Sequence, residues 1–271
     1  PKGHALQARV YAENPLAQFR PSVGTVSHAA FPPAPVRVET WIARGTEVTP
    51  HYDPMLAKII VRGETRELAR QALVAALQAT RVEGLVTNLD YLADIAASEE
   101  FARGAVDTGF LGRFAHAPRA LEVLDAGPQT TVQDWPGRTG YWDVGVPPSG
   151  PMDALSFRFA NALLGNPSDA AALEFTLGGP TVRFHADALI CLTGGALPAT
   201  LDGGRVPFWV PVRVRAGQVL RVGACAGAGL RGYLAVRGGI DCATYLGSRA
   251  TFDLGRFGGP YGRALLPGCQ G

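Results

Sequence analysis

The side chains able to do chemistry gather in three stretches of this chain. In residues 4–13, HALQARVYAE, Leu6, Ala8, Val10 and Ala12 alternate with Gln7, Arg9, Tyr11 and Glu13, the period of a strand with one buried face. A guanidinium fixed on such a strand is a preset anion site, because Arg keeps its charge and offers forked donors. An ordinary solvated strand face has the same pattern, so the residues alone leave both readings open. Residues 130–153, TTVQDWPGRTGYWDVGVPPSGPMD, carry Gln133, Asp134, Arg138, Ser149 and Asp153 among aromatics, in a run too rich in Gly and Pro for a regular helix or central strand. A long aromatic loop of this kind is more often a binding surface than a spacer. Its donors and acceptors suit a small polar ligand such as a urea-like amide. Residues 234–263 add Arg249 and Arg263.

Several of these positions have plainer roles. Asp153 precedes an apolar periodic run and fits a helix N-cap. Arg138 and Arg249 read by default as exposed salt bridges, each worth about 0–1 kcal/mol. Ser149 has no His nearby in a chain with five His, which argues against a Ser-His-Asp nucleophile. The doublets Gly238-Gly239 and Gly258-Gly259 read as tight turns, because no GKS/T sequence follows them. Lys58 interrupts the apolar strand LAKIIV and requires a carboxylate or a wet cleft, Asp53 being the near candidate in sequence.

The elements that must position these residues differ between the two halves. A helix is expected over residues 65–80, with Leu68, Ala72, Leu73, Ala76 and Leu77 as its core stripe. Thr87 and Asp90 resemble a capping box for a second helix that buries Leu89, Leu92 and Ile95. From Leu121 onward, short strands alternate with turn signals. Leu173, Phe175 and Leu177 alternate with Glu174 and Thr176, and residues 188–193 form a buried run. Hairpins are expected at Asp202-Gly203 and at Ala216-Gly217. One helix starts at Asp153, turns Leu155, Phe159, Ala162 and Leu163 inward, and stops at Gly165-Asn166-Pro167.

Composition narrows the class. Hydrophobic residues make up 47% and charged residues 18% of the chain, which is globular rather than disordered. A net charge of +2 with scattered basic residues gives no reason to expect nucleic acid, and no 18-residue apolar run suggests a membrane span. Cys191, Cys225, Cys242 and Cys269 lack CxxC spacing, so reduced thiols in a cytoplasmic protein are expected, with no metal site. Both ends read as interior points of a longer polypeptide.

Certain runs are familiar as sequences. GHALQARVYAENP, VRVET, YDPMLAKIIVRG and VEGLVTNLDYL resemble the C-terminal subdomain of biotin carboxylases. The resemblance implies that Arg9 faces the reaction centre, helping to bind bicarbonate-derived carboxyphosphate and stabilising the biotin enolate; a fixed cation suits that developing charge. It also implies a dimer-interface or inter-site role for Arg37. Gln7 stands where that family usually has Glu. The family's glycine-rich ATP loop and its metal-binding Glu and Asn precede the matched region, so the ATP and Mg site is expected mostly upstream. VLDAGPQTTVQDWPGRTGYWDVGVPPSGPMD, NALLGNP, AALEFTLGGPTVRF, LAVRGGID, YLGSRATF and FGGPYGR resemble the allophanate-hydrolase-subunit-2 type domain, which opens the carboxyltransferase of urea carboxylase.

Together the resemblances imply an α+β biotin carboxylase C-terminal subdomain over residues 1–114, a linker over 115–120, and a mostly β, cyclophilin-like barrel domain over 121–271. They imply a fragment of an ATP- and biotin-dependent enzyme, inactive by itself, that carboxylates urea or guanidine with bicarbonate. Its partners are the remaining biotin carboxylase, carboxyltransferase and biotin-carrier domains, with a homodimer compatible with Arg37. Gln133, Asp134, Arg138, Ser149, Asp153, Arg249 and Arg263 are the expected substrate-binding set. The alternatives are a subunit of a 5-oxoprolinase-like amide hydrolase and a non-catalytic regulator of the kinase-inhibitor antagonist type; the first hundred residues argue against the former.

Overall fold

The computed structural model describes residues 2–270 and separates into two units, residues 1–118 and 119–271. The first is built on a three-stranded antiparallel sheet of order β1-β8-β6, from β1 (His4–Tyr11), β6 (Arg37–Thr40) and β8 (Met55–Gly63). Short ladders complete it: β2 (Glu13–Asn14) with β3 (Arg20–Pro21), β4 (Gly24–Thr25) with β7 (Glu47–Val48), and β5 (His28–Ala30) with β9 (Arg81–Glu83).

The expected alternation of β1 holds. Ala8 and Val10 are buried, while Gln7 and Arg9 are exposed. The buried side is closed by α1 (Arg66–Ala79) and α2 (Leu89–Ala97), followed by the short α3 (Glu99–Arg103) and α4 (Phe110–Arg113). Thr65 caps α1 by accepting from the Leu68 amide at 3.2 Å. The stripe of α1 is rotated from the expected one, because Ala69 is buried with Leu73, Ala76 and Leu77 while Leu68 points outward. The second helix is preceded by Asn88, not by a Thr87–Asp90 capping box, and Asn88 makes no side-chain cap bond. Lys58 finds its carboxylate across the sheet: Glu39 Oε2 lies 3.6 Å away, whereas Asp53 accepts from the Met55 amide.

The second unit is three-layered. One five-stranded antiparallel sheet runs β10-β13-β18-β15-β16 and the other β11-β12-β19-β14-β17. Their strands are β10 (Leu121–Asp125), β11 (Thr130–Gln133), β12 (Ala172–Thr176), β13 (Thr181–Phe184), β14 (Ala188–Gly194), β15 (Ala199–Leu201), β16 (Gly204–Arg205), β17 (Val212–Val214), β18 (Val219–Val222) and β19 (Arg231–Val236). The main core includes Val132, Leu173, Phe175, Val182, Leu220 and Leu234, drawn from both sheets. The other side of the second sheet packs on α5 (Ala154–Leu164), where Phe157, Ala160 and Leu164 meet Ala172, Cys191, Tyr233 and Ala235. Among the described residues the strands form two separate sheets and no closed barrel.

Two expectations for this unit are corrected. The helix buries Ser156, Phe157, Ala160, Asn161 and Leu164, while Leu155, Phe159 and Leu163 face outward. A short helix that is apolar nearly all round has two candidate stripes, and sequence cannot choose between them. Asp202-Gly203 does turn β15 into β16, both residues having positive φ. The turn at Ala216-Gly217 forms no hairpin, because β17 pairs with β14 and β18 with β13 and β15; the chain changes sheets there.

All four cysteines are free, with Cys191, Cys242 and Cys269 buried and Cys225 half-buried. Burial pushes the Cys191 thiol up to about 11. Titration of the native chain with a chromogenic disulfide at neutral pH is expected to modify Cys225 first and Cys191 only after denaturation. Labelling of Cys191 in the folded chain would show instead that β14 opens to solvent. No helix among the described residues is long and apolar enough to cross a membrane, and no cluster of metal-ligating side chains occurs among them.

Candidate functional site

Each unit holds one candidate site. In the first, a cleft of about 630 Å³ runs along the free edge of β1, lined by Gln7, Arg9, Tyr11 and Glu13 on the strand and by Asn88, Tyr91 and Ile95 on the helical side. Among the described residues the exposed Arg9 guanidinium makes no hydrogen bond or ion pair within the chain, so its donors face solvent. Lys58 lies opposite Arg9 in register and Glu39 opposite Lys58, so charges line one face of the sheet. Arg37 shares that face, is 71% exposed and is ion-paired with Glu39. Burial, and then the neighbouring charge of Asp53, raise the Glu13 carboxyl above its ordinary value.

In the second unit the loop after β11 folds back on the chain segment 245–259. Asp134 is buried and uses both oxygens there: Oδ1 accepts from Ser248 Oγ at 2.6 Å and the Ala250 amide at 3.1 Å, and Oδ2 accepts from the Arg249 amide at 2.7 Å. Arg138 is 1% exposed, so the exposed salt bridge expected of it is absent. Its Nε donates to Tyr245 O at 2.9 Å and its Nη2 to Ala250 O at 2.8 Å, while the guanidinium lies 4.8 Å from the Phe257 ring centroid. Nη1 has no hydrogen-bond partner among the described residues. Burial lowers this guanidinium, an effect opposed by the charge of Asp134. Gly258 permits the approach: a Cβ there would sit 2.0 Å from Ala250 O and 2.8 Å from Arg138 Nη2.

Gln133 is buried too, donating to Thr131 Oγ1 at 2.9 Å and accepting from the Gly150 amide at 3.0 Å. Arg138 N donates to Pro148 O at 2.6 Å, so the 148–150 segment, with Ser149 at φ +56°, is tied to the same network. Arg249 reaches back to Cys242 O at 3.0 Å. Five of the seven selected residues therefore fall along this loop, and Arg249 lies on the segment it folds onto. Arg263 lies apart, donating to Ala264 O and stacking over Tyr261.

Asp153 links the loop to a cluster that sequence reasoning missed. It caps α5 by accepting from the Ser156 amide at 3.0 Å and from the Ser156 hydroxyl. Burial alone would raise its carboxyl, but the Ser156 bonds and the Leu155 amide outweigh it and hold the group below the usual range. The Asp153 amide donates to Tyr233 Oη at 2.7 Å, and Tyr233 Oη donates to Glu174 Oε2 at 2.8 Å. Glu174 also accepts from the Met152 amide at 2.7 Å and from Arg231 Nη1 at 3.2 Å. Burial first, then the Glu174 charge, raise the Tyr233 phenol, which stays a donor. The signal for Glu174 is a carboxylate alternating with Leu173 and Phe175, and only tertiary packing shows that α5 covers its side of the sheet.

The biotin carboxylase C-terminal domain family matches residues 7–113, and the carboxyltransferase domain family, subdomains A and B, matches residues 144–270. One chain thus joins two domains of biotin-dependent carboxylases. Urea amidolyase of Saccharomyces cerevisiae is 48% identical over 98% of this chain, and the putative urea carboxylase of Emericella nidulans is 43% identical over 99%. The crystal structure of Kluyveromyces lactis urea carboxylase covers 99% of the chain at 48% identity with a TM-score of 0.95. Nearly the whole chain is thus similar to urea amidolyase and urea carboxylase, with a biotin carboxylase C-terminal domain followed by a carboxyltransferase domain. The chain spans 14% of the length of the S. cerevisiae relative, 22% of the E. nidulans relative and 24% of the K. lactis chain.

Proposed function

We propose that this chain serves an ATP- and biotin-dependent carboxylase that fixes bicarbonate and transfers the carboxyl group to urea, giving allophanate. The observation that carries the reading is the continuous similarity to urea amidolyase and urea carboxylase through both units. Free-standing amide-hydrolase subunits and non-catalytic regulators give no reason for the first unit.

Arg9 fits a ureido oxygen or a carboxylated phosphate: it is strand-held, exposed beside a cleft and unpaired among the described residues. Biotin, when bound, supplies a ureido nitrogen able to carry a carboxyl group between two sites. Arg9 then stabilises negative charge as it develops, without giving up its own proton. ATP, Mg, bicarbonate handling and the carrier are assigned to other parts of the full-length enzyme. In the second unit, the backbone and side chains of residues 145–153, including Ser149, are the proposed contact for the acceptor amide. Gln133, Asp134, Arg138, Asp153 and Arg249 act chiefly by holding that loop, since each makes internal hydrogen bonds to it, to the segment it folds on or to the helix that follows, Arg138 Nη1 being left over among the described residues. Arg263 is the weakest member of the set. Guanidine is a second acceptor of similar shape, and Arg37 a dimer contact.

Steady-state ATP cleavage by the full-length enzyme, with bicarbonate and either urea or guanidine, tests the reading. Stimulation by urea is expected, and avidin should detect a biotinylated polypeptide. Stimulation by guanidine alone would move the acceptor assignment, and an avidin-negative enzyme would remove the biotin chemistry altogether.

A further inference from the structure

β1 is an edge strand, and at its functional residue it needs something other than a neighbouring strand to hold it. Asn88 does this. Its Oδ1 accepts from the Tyr11 amide at 2.9 Å, its Nδ2 donates to Arg9 O at 3.3 Å, and its own amide donates to Tyr11 O at 3.2 Å. The residue is 6% exposed and lines the same cleft as Arg9. An Asn directly before a helix ordinarily spends its side chain on the helix amides. Asn88 makes no such bond with α2, so its amide group is diverted wholly to the strand. The clip also falls where it matters, because the β1–β8 register shifts between Val10 and Tyr11, the step its bonds to Arg9 and Tyr11 span.

We propose that Asn88 is a positioning residue for Arg9, setting the direction in which the guanidinium leaves the irregular edge of β1. The proposal rests on the reading of Arg9 as the charge-stabilising group. An edge strand with a register shift has backbone freedom that a central strand lacks, and rotation about its axis swings a long side chain through several ångströms. Anchoring the carbonyl of residue 9 and both polar groups of residue 11 removes that freedom. Misplacement of a reacting or stabilising group by about 1 Å can cost about 10²-fold in rate.

The test is a double-mutant cycle in the full-length enzyme, measuring bicarbonate-dependent ATP cleavage with Arg9→Met, Asn88→Ala and both together. Asn88→Ala is expected to lower kcat by about 10- to 100-fold with the KM for ATP unchanged. In the Arg9→Met background the same change should add less than about twofold, because the two residues act as one unit. Asn88→Asp keeps the acceptor for Tyr11 and loses the donor to Arg9, so it should fall between Ala and the parent. It also carries the same cycle should Asn88→Ala not fold. Additive losses from Arg9 and Asn88 overturn the proposal while leaving Arg9 its role. A fully active Arg9→Met overturns the reading of Arg9 itself, and the two failures are thereby distinguished.

Discussion

Arg9→Met in the full-length enzyme is expected to reduce bicarbonate-dependent ATP cleavage by about 10²- to 10³-fold, the range seen when one preorganised donor to a developing oxyanion is removed. Met keeps much of the side-chain length, so packing along the strand is conserved and only the charged fork is lost. Because Arg9 is exposed and unpaired among the described residues, the substitution leaves no buried group there without a partner, and the fold should be unaffected. Arg9→Lys should recover only part of the rate, since an ammonium cannot offer two parallel donors from a rigid plane. The measurement is kcat at saturating ATP and bicarbonate, beside thermal unfolding of each variant. Loss of rate accompanied by loss of folded protein would reduce Arg9 to a structural residue, and an unchanged rate would remove it from the chemistry.

The second large effect is on stability. Arg138→Met should destabilise the second unit by about 2 kcal/mol or more, because the buried Ala250 carbonyl loses its donor at about 1–3 kcal/mol and the Tyr245 carbonyl keeps only the longer bond from the Ser248 amide. The Asp134 carboxylate also loses the neighbouring positive charge of Arg138. Asp134→Asn should act in the same direction, since all three groups around its oxygens are donors and the new amide can meet only some of them as an acceptor. Urea unfolding followed by tryptophan fluorescence reads this directly. Trp135, Trp142 and Trp209 belong to the second unit and Trp41 to the first, so the signal is weighted to the unit in question. A change below about 1 kcal/mol for Arg138→Met would mean that solvent reaches those carbonyls and that the loop is not held as described.

The two predictions separate what chemistry asks of an arginine. Arg9 and Arg138 have the same side chain, but one is left unpaired beside a cleft and the other is walled in by carbonyls and a phenylalanine ring. Sequence assigned Arg9 through its strand and its familiar surroundings. It assigned Arg138 to the substrate because a loop rich in Gly, Pro and aromatics looks like a binding surface. Only the fold-back of that loop onto residues 245–259 shows where the Arg138 donors go. Glu174 is the reverse case: sequence shows only that it alternates with Leu173 and Phe175, yet it is 6% exposed and clasps Tyr233.

Local order was legible in the residues themselves. The two-residue period of β1, the Asp153 cap and the Asp202-Gly203 turn are set by interactions within a few positions of chain, and the chain alone determined them. The succession of a mixed first half and a β-rich second half was legible for the same reason. What lay beyond reach was which of two apolar stripes α5 buries, that residues 215–218 pass between sheets, and that Asn88 serves a strand rather than its own helix. Each of these depends on groups tens of residues away competing for the same surface or hydrogen bond. Such competition is decided by burial of the assembled layers, a property of the packed molecule that no local window of sequence contains.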